Sequence, residues 1–381
     1  MELIGNPDRR GPDAGSQDLA PQSPRRVLRL TRYDDVCSVL RDPGFGRAEF
    51  LELIAPGNRE PLAPGMSMRF QDPPAHTRLR NLVGKVFTHA RVGALRPRVQ
   101  RIVDELLDAR RGAGGMDVVA SFGLALSLRV ILELLGVPAT DHERFREWSR
   151  TVTQSMDAAI GADGIGRAVA AQKAMAEYFR DLTGDRRSSP RSDLLTGLRA
   201  AEHEGDRLTE PEIADLCVLL FVAGHTTTVD LIGNGVLNLL LHPSELRRLR
   251  EEPVLIAQAI EELLRHESPV QHVGRISNRD VEIGGAQLPK GAVVLLMLGA
   301  ANRDPARYDR PERLDIGRGG NHLAFGHGAR ACIGASLARL EAQIAIGTLV
   351  SRLPSLALVD SRQQWRNSTE TKGLKELQVA F

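Results

Sequence analysis

Aromatic residues are scarce in this chain of 381 residues: two Trp, three Tyr and ten Phe make only 4% of it. So thin a set argues against the stacking platforms of single-strand nucleic-acid binders. An excess of one charge is missing too. Fifty Lys and Arg face 48 Asp and Glu, a formal charge of +2, which gives no basis for binding nucleic acid or an acidic membrane surface. Cysteine is rare, with Cys37, Cys217 and Cys332 far apart and no CxxC pair. Neither a disulfide framework nor a cysteine-rich zinc site is expected, and a reducing cytoplasm fits best. The N-terminus, MELIGNPDRRGPDAGSQDLAPQSPRR, has no apolar core of the kind a signal peptide carries. The longest apolar runs, LCVLLFVAG and VVLLMLGAA, fall short of the roughly 20 residues of a membrane span. A cytoplasmic protein with no nucleic-acid and no membrane partner is the expectation.

What the chain does have is helical periodicity. Residues 1–25, rich in Pro and Gly, read as a flexible arm, followed by a strand at RVLRL. Val36, Val39 and Leu40 recur at helical spacing behind Thr31, which is placed to cap. Residues 43–71 read as a long irregular loop. From about residue 75, AHTRLRNLVGKVF, LRPRVQRIVDELLDARR and LALSLRVILELLG each repeat apolar residues at intervals of three and four. The clearest element opens at Thr209, with Glu212 completing a capping box, and closes at His242-Pro243. Some 32 residues at 1.5 Å each make a rod of about 48 Å. It is apolar on every face from Leu216 to Ala223, so its middle belongs inside the protein. Short strands follow at VEIGGAQLP and AVVLLML, and a last helix starts just after Cys332. The fold class expected is mainly α with a smaller β region.

Cys332 stands in FGHGARACIG, among residues with little or no side chain. At the N-terminus of the last helix, free N–H groups and the helix dipole favour negative charge, and Arg330 adds positive charge. Gly326, Gly328, Ala331 and Gly334 let the backbone approach a flat object closely. A thiolate facing a flat partner is how cysteine holds a haem iron. Two other readings stand beside it: a small core cysteine, and a zinc site from His322, His327 and Cys332 that lacks a fourth ligand.

The loop resembles the haem-binding loop of the cytochromes P450, Phe-x-x-Gly-x-basic-x-Cys-x-Gly, with Phe325, Gly328, Arg330, Cys332 and Gly334 in those places. Further matches extend the likeness from about residue 30 to the C-terminus. Glu262 and Arg265 fit the family's Glu-x-x-Arg, and Arg313 in RPERLD fits the later arginine that joins them in a buried charge cluster supporting the haem loop. His76 and Arg80 in HTRLR share a helix face and are similar to the family's pair for a haem propionate, with Arg275 and Arg330 as further donors. Ala223, Gly224 and Thr227 in AGHTTT fit its Ala/Gly-Gly-x-acid-Thr, where small residues leave room for oxygen and the threonine hydroxyl relays protons. The bland alternative for Thr227 is a bond back to the carbonyl four residues earlier.

The resemblance implies a single-domain P450 fold over residues 26–381, binding haem b (iron protoporphyrin IX) through Cys332. It implies a monooxygenase that takes O2, a small-molecule substrate, and electrons from a ferredoxin or similar donor protein with an NAD(P)H reductase. A basic patch of Arg78, Arg330 and Arg339 is the expected docking face for that donor. The substrate is expected to be a natural-product intermediate, lined by residues 50–70, 160–175, Phe221, Val222 and 270–274, with Asn58, Arg69 and His272 as polar groups. The departure from the pattern is Thr226, which stands where the family has an acid. Three outcomes stand open there: water-mediated proton delivery, help from a substrate group, or chemistry less dependent on that route. The first is the expectation. The alternatives for the whole chain are coupling, ring closure or desaturation without oxygen insertion, and, from a different class, a haem-thiolate sensor without turnover.

Overall fold

The computed structural model describes residues 27–49, 67–155, 157, 161–360, 362–368 and 370–381. The expected arm and Asn58 lie outside them. The chain is 57% helical with a smaller sheet region, as the periodicity implies.

The sheet that borders the site has four strands, β1 (Val27–Leu30), β2 (Phe45–Gly46), β3 (Val273–Ser277) and β4 (Val293–Leu296), in the order β1-β4-β3-β2. β1 runs parallel to β4, and the other pairings are antiparallel. Helix α1 (Tyr33–Arg41) follows β1 and buries Val36, Val39 and Leu40 beneath this sheet. The residue before it is Arg32, and no side chain caps the helix, so Thr31 does not take the expected role. Within the stretch read as a loop, β2 and a short helix α2 (Ser67–Phe70) form. Helix α3 (Ala75–Val86) carries HTRLR, and α4 is His142–Gln154.

The long rod is α5 (Glu210–Leu241), and its capping box forms as read: Glu212 Oε2 accepts from Thr209 N at 2.8 Å, and Thr209 Oγ1 accepts from Glu212 N at 3.4 Å. By length and composition α5 could cross a membrane, which the short apolar runs did not suggest, but most of it is buried inside the fold. Its two ends serve two cores. Ile213 to Phe221 pack with α4 and the helix Ala162–Ser188. Leu231 to Leu239 pack with α6 (Ile256–His266), α7 (Ala335–Arg352) and the helices Arg96–Asp108 and Leu124–Leu134. The turn Ala223–Thr227 falls between the two cores.

Candidate active site

On α5 that turn is where the burial breaks. Ala223 is exposed and Val222, Gly224 and Thr227 are half-buried, whereas Phe221, His225 and Thr226 are sealed in. A helix buried on both sides of one open turn borders an internal cleft. A Cβ on Gly224 would sit 3.3 Å from Ile131 Cδ1, so glycine keeps the backbone close to the neighbouring helix. Thr227 Oγ1 donates to Ala223 O at 3.1 Å, the local bond of the bland reading. Phe221 belongs to the core and not to a substrate wall.

Thr226 turns away from the cleft toward a polar link that the sequence reading missed. His225 Nδ1 lies 2.6 Å from Phe221 O, so that nitrogen carries the proton. Its Nε2 then accepts, from Ser149 Oγ at 2.6 Å and with Thr226 Oγ1 at 3.3 Å. Burial, only partly offset by the bond to Phe221, lowers the imidazole pKa to about 4 and keeps the ring neutral.

The cysteine loop closes on itself. Cys332 N donates to Phe325 O at 2.8 Å and Ala331 N to Gly328 O at 3.0 Å. Gly328 has φ of 73°, and a Cβ there would lie 2.7 Å from the Leu40 carbonyl, so only glycine fits both demands. Arg339 stacks 4.5 Å from the Phe325 ring centroid and fixes the ring beside α7. Cys332 is accessible yet hemmed in, because its surface is exposed while burial raises its thiol pKa. The N–H groups of Gly334 and Ala335 and the charges of Arg80 and Arg339 pull the other way. Burial outweighs them, so the thiol keeps its proton unless a stronger positive charge binds at Sγ.

Beside the cysteine loop stands a group of hydrogen-bond donors short of anions, one neutral histidine and three arginines. His76 is 5% exposed, and burial, then Arg330 and Arg80, push its pKa down to about 4. Arg275 is 5% exposed, donates Nη1 to its own neighbour Gly274 O at 2.8 Å, and is lowered to about 10 by burial and by Arg330. Among the described residues Arg80 makes no hydrogen bond or ion pair; burial lowers its pKa and the charge of Cys332 acts against that. Arg330 is held by Gln71 O at 2.6 Å and Asp72 Oδ1 at 2.5 Å. The sequence reading missed Asp72, which also accepts from Arg47 N and Ala48 N, and it missed Arg47, lowered to about 9. Cationic donors in excess beside a hemmed-in thiol fit a flat metal-bearing group with two carboxylates.

Behind the loop, Glu262 and Arg265 form a bidentate pair, Nε–Oε2 2.7 Å and Nη2–Oε1 2.9 Å. The second arginine on Glu262 is Arg318, Nε to Oε1 3.1 Å, and not the expected Arg313. Arg313 is exposed in a turn and gives only its main-chain carbonyl to Arg265. His322 is no metal ligand here: its Nδ1 accepts from Ala324 N, which leaves Nε2–H for Glu261 at 3.1 Å. The three arginines of the expected docking face are each paired with carboxylates. Arg78 pairs with Asp206 and Glu212, Arg330 with Asp72, and Arg339 with Glu261.

A haem-thiolate enzyme is the class that this fold and cleft define, and comparison with known proteins agrees. The family model described as Cytochrome P450 matches residues 164–374. Cytochrome P450 107B1 of Saccharopolyspora erythraea is 44% identical over 363 residues, covering 92% of this chain and 88% of that protein. The mycinamicin IV hydroxylase/epoxidase of Micromonospora griseorubida is 39% identical, over 92% and 89%. The crystal structure of P450BioI in complex with hexadec-9Z-enoic acid ligated acyl carrier protein superposes with a TM-score of 0.86 at 38% identity, over 94% of this chain and 93% of that one. The chain belongs to the cytochrome P450 family, whose members are monooxygenases that bind haem b through a cysteine thiolate.

Proposed function

We propose that this chain hydroxylates or epoxidises a small organic substrate at a haem b held by Cys332 Sγ. One observation carries the reading: the accessible thiol of Cys332 stands in a loop closed by its own hydrogen bonds, with Arg80, Arg339 and the N–H groups of Gly334 and Ala335 about it. Bound there, haem supplies an iron at which O2 takes up electrons and is cleaved, aided by electron density from the thiolate. His76, Arg80, Arg275 and Arg330 would hold the two porphyrin carboxylates, with Phe325 and Gly334 framing the cysteine side. Glu262, Arg265 and Arg318 brace the loop from behind.

Protons are the second task. Thr227 Oγ1 can turn from the Ala223 carbonyl to present its hydroxyl to the cleft. Ser149 Oγ–H donates a hydrogen bond to the neutral His225 Nε2, which also lies within reach of Thr226 Oγ1, so a proton that reaches Nε2 from water can pass to Thr226 Oγ1 while that hydroxyl gives its own proton onward. This buried link stands in for the missing acid. Because a charged His225 is costly, its proton leaves as the next arrives.

Electrons come from a ferredoxin or similar protein fed by an NAD(P)H reductase, in line with the redox partners that bacterial P450s use in general. A cytoplasmic setting suits that supply. The mycinamicin relative supports a natural-product intermediate as substrate. The reading is tested with the haem-loaded protein. Its reduced CO complex should show the red-shifted Soret band of a thiolate, lost in Cys332→Ala. With surrogate ferredoxin and reductase, label from 18O2 should enter the product. Because Thr226 replaces an acid, oxidative coupling, ring closure or desaturation is the second reading, and turnover without label would favour it.

A further inference from the structure

Rings that give up an electron readily are few in this chain, two Trp and three Tyr, and two of the five stand together. Trp148 on α4 and Tyr178 on the helix Ala162–Ser188 meet edge to face with centroids 6.4 Å apart. Phe145, one turn before Trp148 on the same face of α4, fills the space between them and α5. Its ring lies 5.0 Å from Trp148, 5.1 Å from Tyr178 and 5.1 Å from Phe221. Phe221 in turn lies 4.9 Å from the imidazole of His225, one turn further along α5. Phe145 and Phe221 are fully buried, whereas Trp148 and Tyr178 are half-buried. The rings make an unbroken packed line from the surface to the residue that follows Gly224 in the open turn.

The outer end of this line is equipped to lose an electron. An oxidised phenol is a strong acid, so tyrosine yields an electron at moderate cost only where a base can take its proton. Tyr178 Oη donates to Asp141 Oδ2 at 2.6 Å, the short bond of a neutral hydroxyl to a carboxylate. Burial and this bond raise the phenol pKa, so the proton stays on Tyr178 until an electron leaves. Tyr33 and Tyr308 have no such base: both hydroxyls donate to the carbonyl of Asn321, at 3.0 and 2.6 Å, which cannot take up a proton. Trp148 carries the Arg144 guanidinium 4.5 Å from its ring centroid, and that cation opposes a second positive charge on the indole. Arg144 is 5.8 Å from the Tyr178 ring, which ends neutral once its proton has gone. Phenylalanine and neutral imidazole are harder to oxidise than either, and serve only as packed medium.

We propose that Tyr178, with Asp141 as its base, is an electron donor that drains oxidising equivalents from the haem when no substrate takes them. One electron passes from Tyr178 along Phe145 and Phe221 to the haem, whose oxidising power falls by one equivalent. The phenolic proton moves to Asp141 Oδ2, which leaves a neutral tyrosyl radical. A small thiol in solution restores the phenol by giving up its hydrogen atom, and Asp141 returns its proton to water. The proposal rests on the P450 reading, which puts the haem, and so the oxidant, beside Ala223–Thr227.

Its test uses the haem-loaded, substrate-free protein, hydrogen peroxide as oxidant at the haem, and EPR of freeze-quenched samples. The wild type should show a tyrosyl radical. Tyr178→Phe, which keeps the ring and removes only the hydroxyl, should lose it, while Tyr33→Phe and Tyr308→Phe keep it. Asp141→Asn should lower its yield, because the base is gone. Phe145→Leu opens a gap in the line and should slow the peroxide-driven signal. Hexachloroiridate, a one-electron oxidant acting from solvent, should still oxidise Tyr178 in that variant. A radical unchanged in Tyr178→Phe, an unchanged rate in Phe145→Leu, or no radical in a wild type that shows the thiolate CO spectrum overturns the proposal. A missing thiolate spectrum would instead sink the P450 reading beneath it.

Discussion

Two buried charge clusters lie within reach of the cysteine loop, and they differ in how complete they are. In the first, Glu262 accepts from Arg265, from Arg318 and from Asp315 N at 3.0 Å. Arg265 spends its other N–H groups on the carbonyls of Asn302, Pro311 and Arg313. Pair and partners close on themselves at 2% and 3% exposure. The second cluster, His76, Arg80, Arg275 and Arg330, has Asp72 as a shared anion, and among the described residues Arg275 bonds only its neighbour's carbonyl. Buried polar groups are costly unless paired. A cluster that satisfies itself serves the fold, whereas one that does not is built around something that arrives later.

The largest effect should come from opening the closed cluster. Glu262→Gln keeps the shape but leaves Arg265 and Arg318 without their anion, and breaking such a buried pair costs about 3–5 kcal/mol. Denaturant midpoints of the variant should fall accordingly, with or without haem. Arg275→Leu should act in the opposite sense on the haem-free protein. It removes a buried cation whose anion, Asp72, is already engaged by Arg330, so stability should hold or rise, while haem is lost faster to an acceptor such as apomyoglobin. If both variants weaken the haem-free protein alike, the contrast between the clusters is wrong.

The closed cluster was half legible in the sequence. Glu262 and Arg265 are one helical turn apart, a local relation that spacing reveals. Which arginine completes them depends on how residues 310–318 turn back, and nothing local separates Arg313 from Arg318. The same limit hid Asp72 and Arg47, whose partners lie far away in the chain. The cysteine loop and α5 were readable because glycine positions and a capping box are short-range demands. His225 was passed over for a different reason: its role comes from Ser149 on another helix.

A smaller effect separates the neutral histidine of that link from the open cluster's His76, whose surroundings change when anions bind. His225 has its folded pKa depressed to about 4 from the ordinary 6.5. Between those values the unfolded chain takes up a proton that the folded chain refuses, so this group's contribution falls as pH drops through 6.5 toward 4. Asp230 and Glu341 work against it, raised by burial to about 7 and about 8, and they favour the fold as pH falls. The net slope of the wild type is therefore a balance, and the informative quantity is a difference. His225→Gln should gain on the wild type by up to about 1.4 kcal/mol per pH unit below about pH 6.5. Chemical denaturation of both haem-loaded proteins at about pH 7 and about pH 5 measures it. A pH-independent difference would mean that the ring takes up its proton as readily in the fold as in the unfolded chain.

The smallest effect concerns where the link meets the open turn. Thr226 is buried and its hydroxyl approaches His225 Nε2, not the cleft, so its removal should leave folding and haem binding nearly unchanged. What should change is the fate of electrons. Without Oγ1 the proton held between Ser149 and His225 has no short path to Thr227, and reduced oxygen leaves as peroxide more often. Thr226→Ala should therefore raise peroxide formed per NAD(P)H about two- to tenfold, within the range of a single proton-transfer group or less. Ser149→Ala, at the far end of the same link, should reproduce the shift, because both substitutions interrupt one path. A rise in Thr226→Ala alone would assign the effect to packing at the turn and detach His225 from proton delivery.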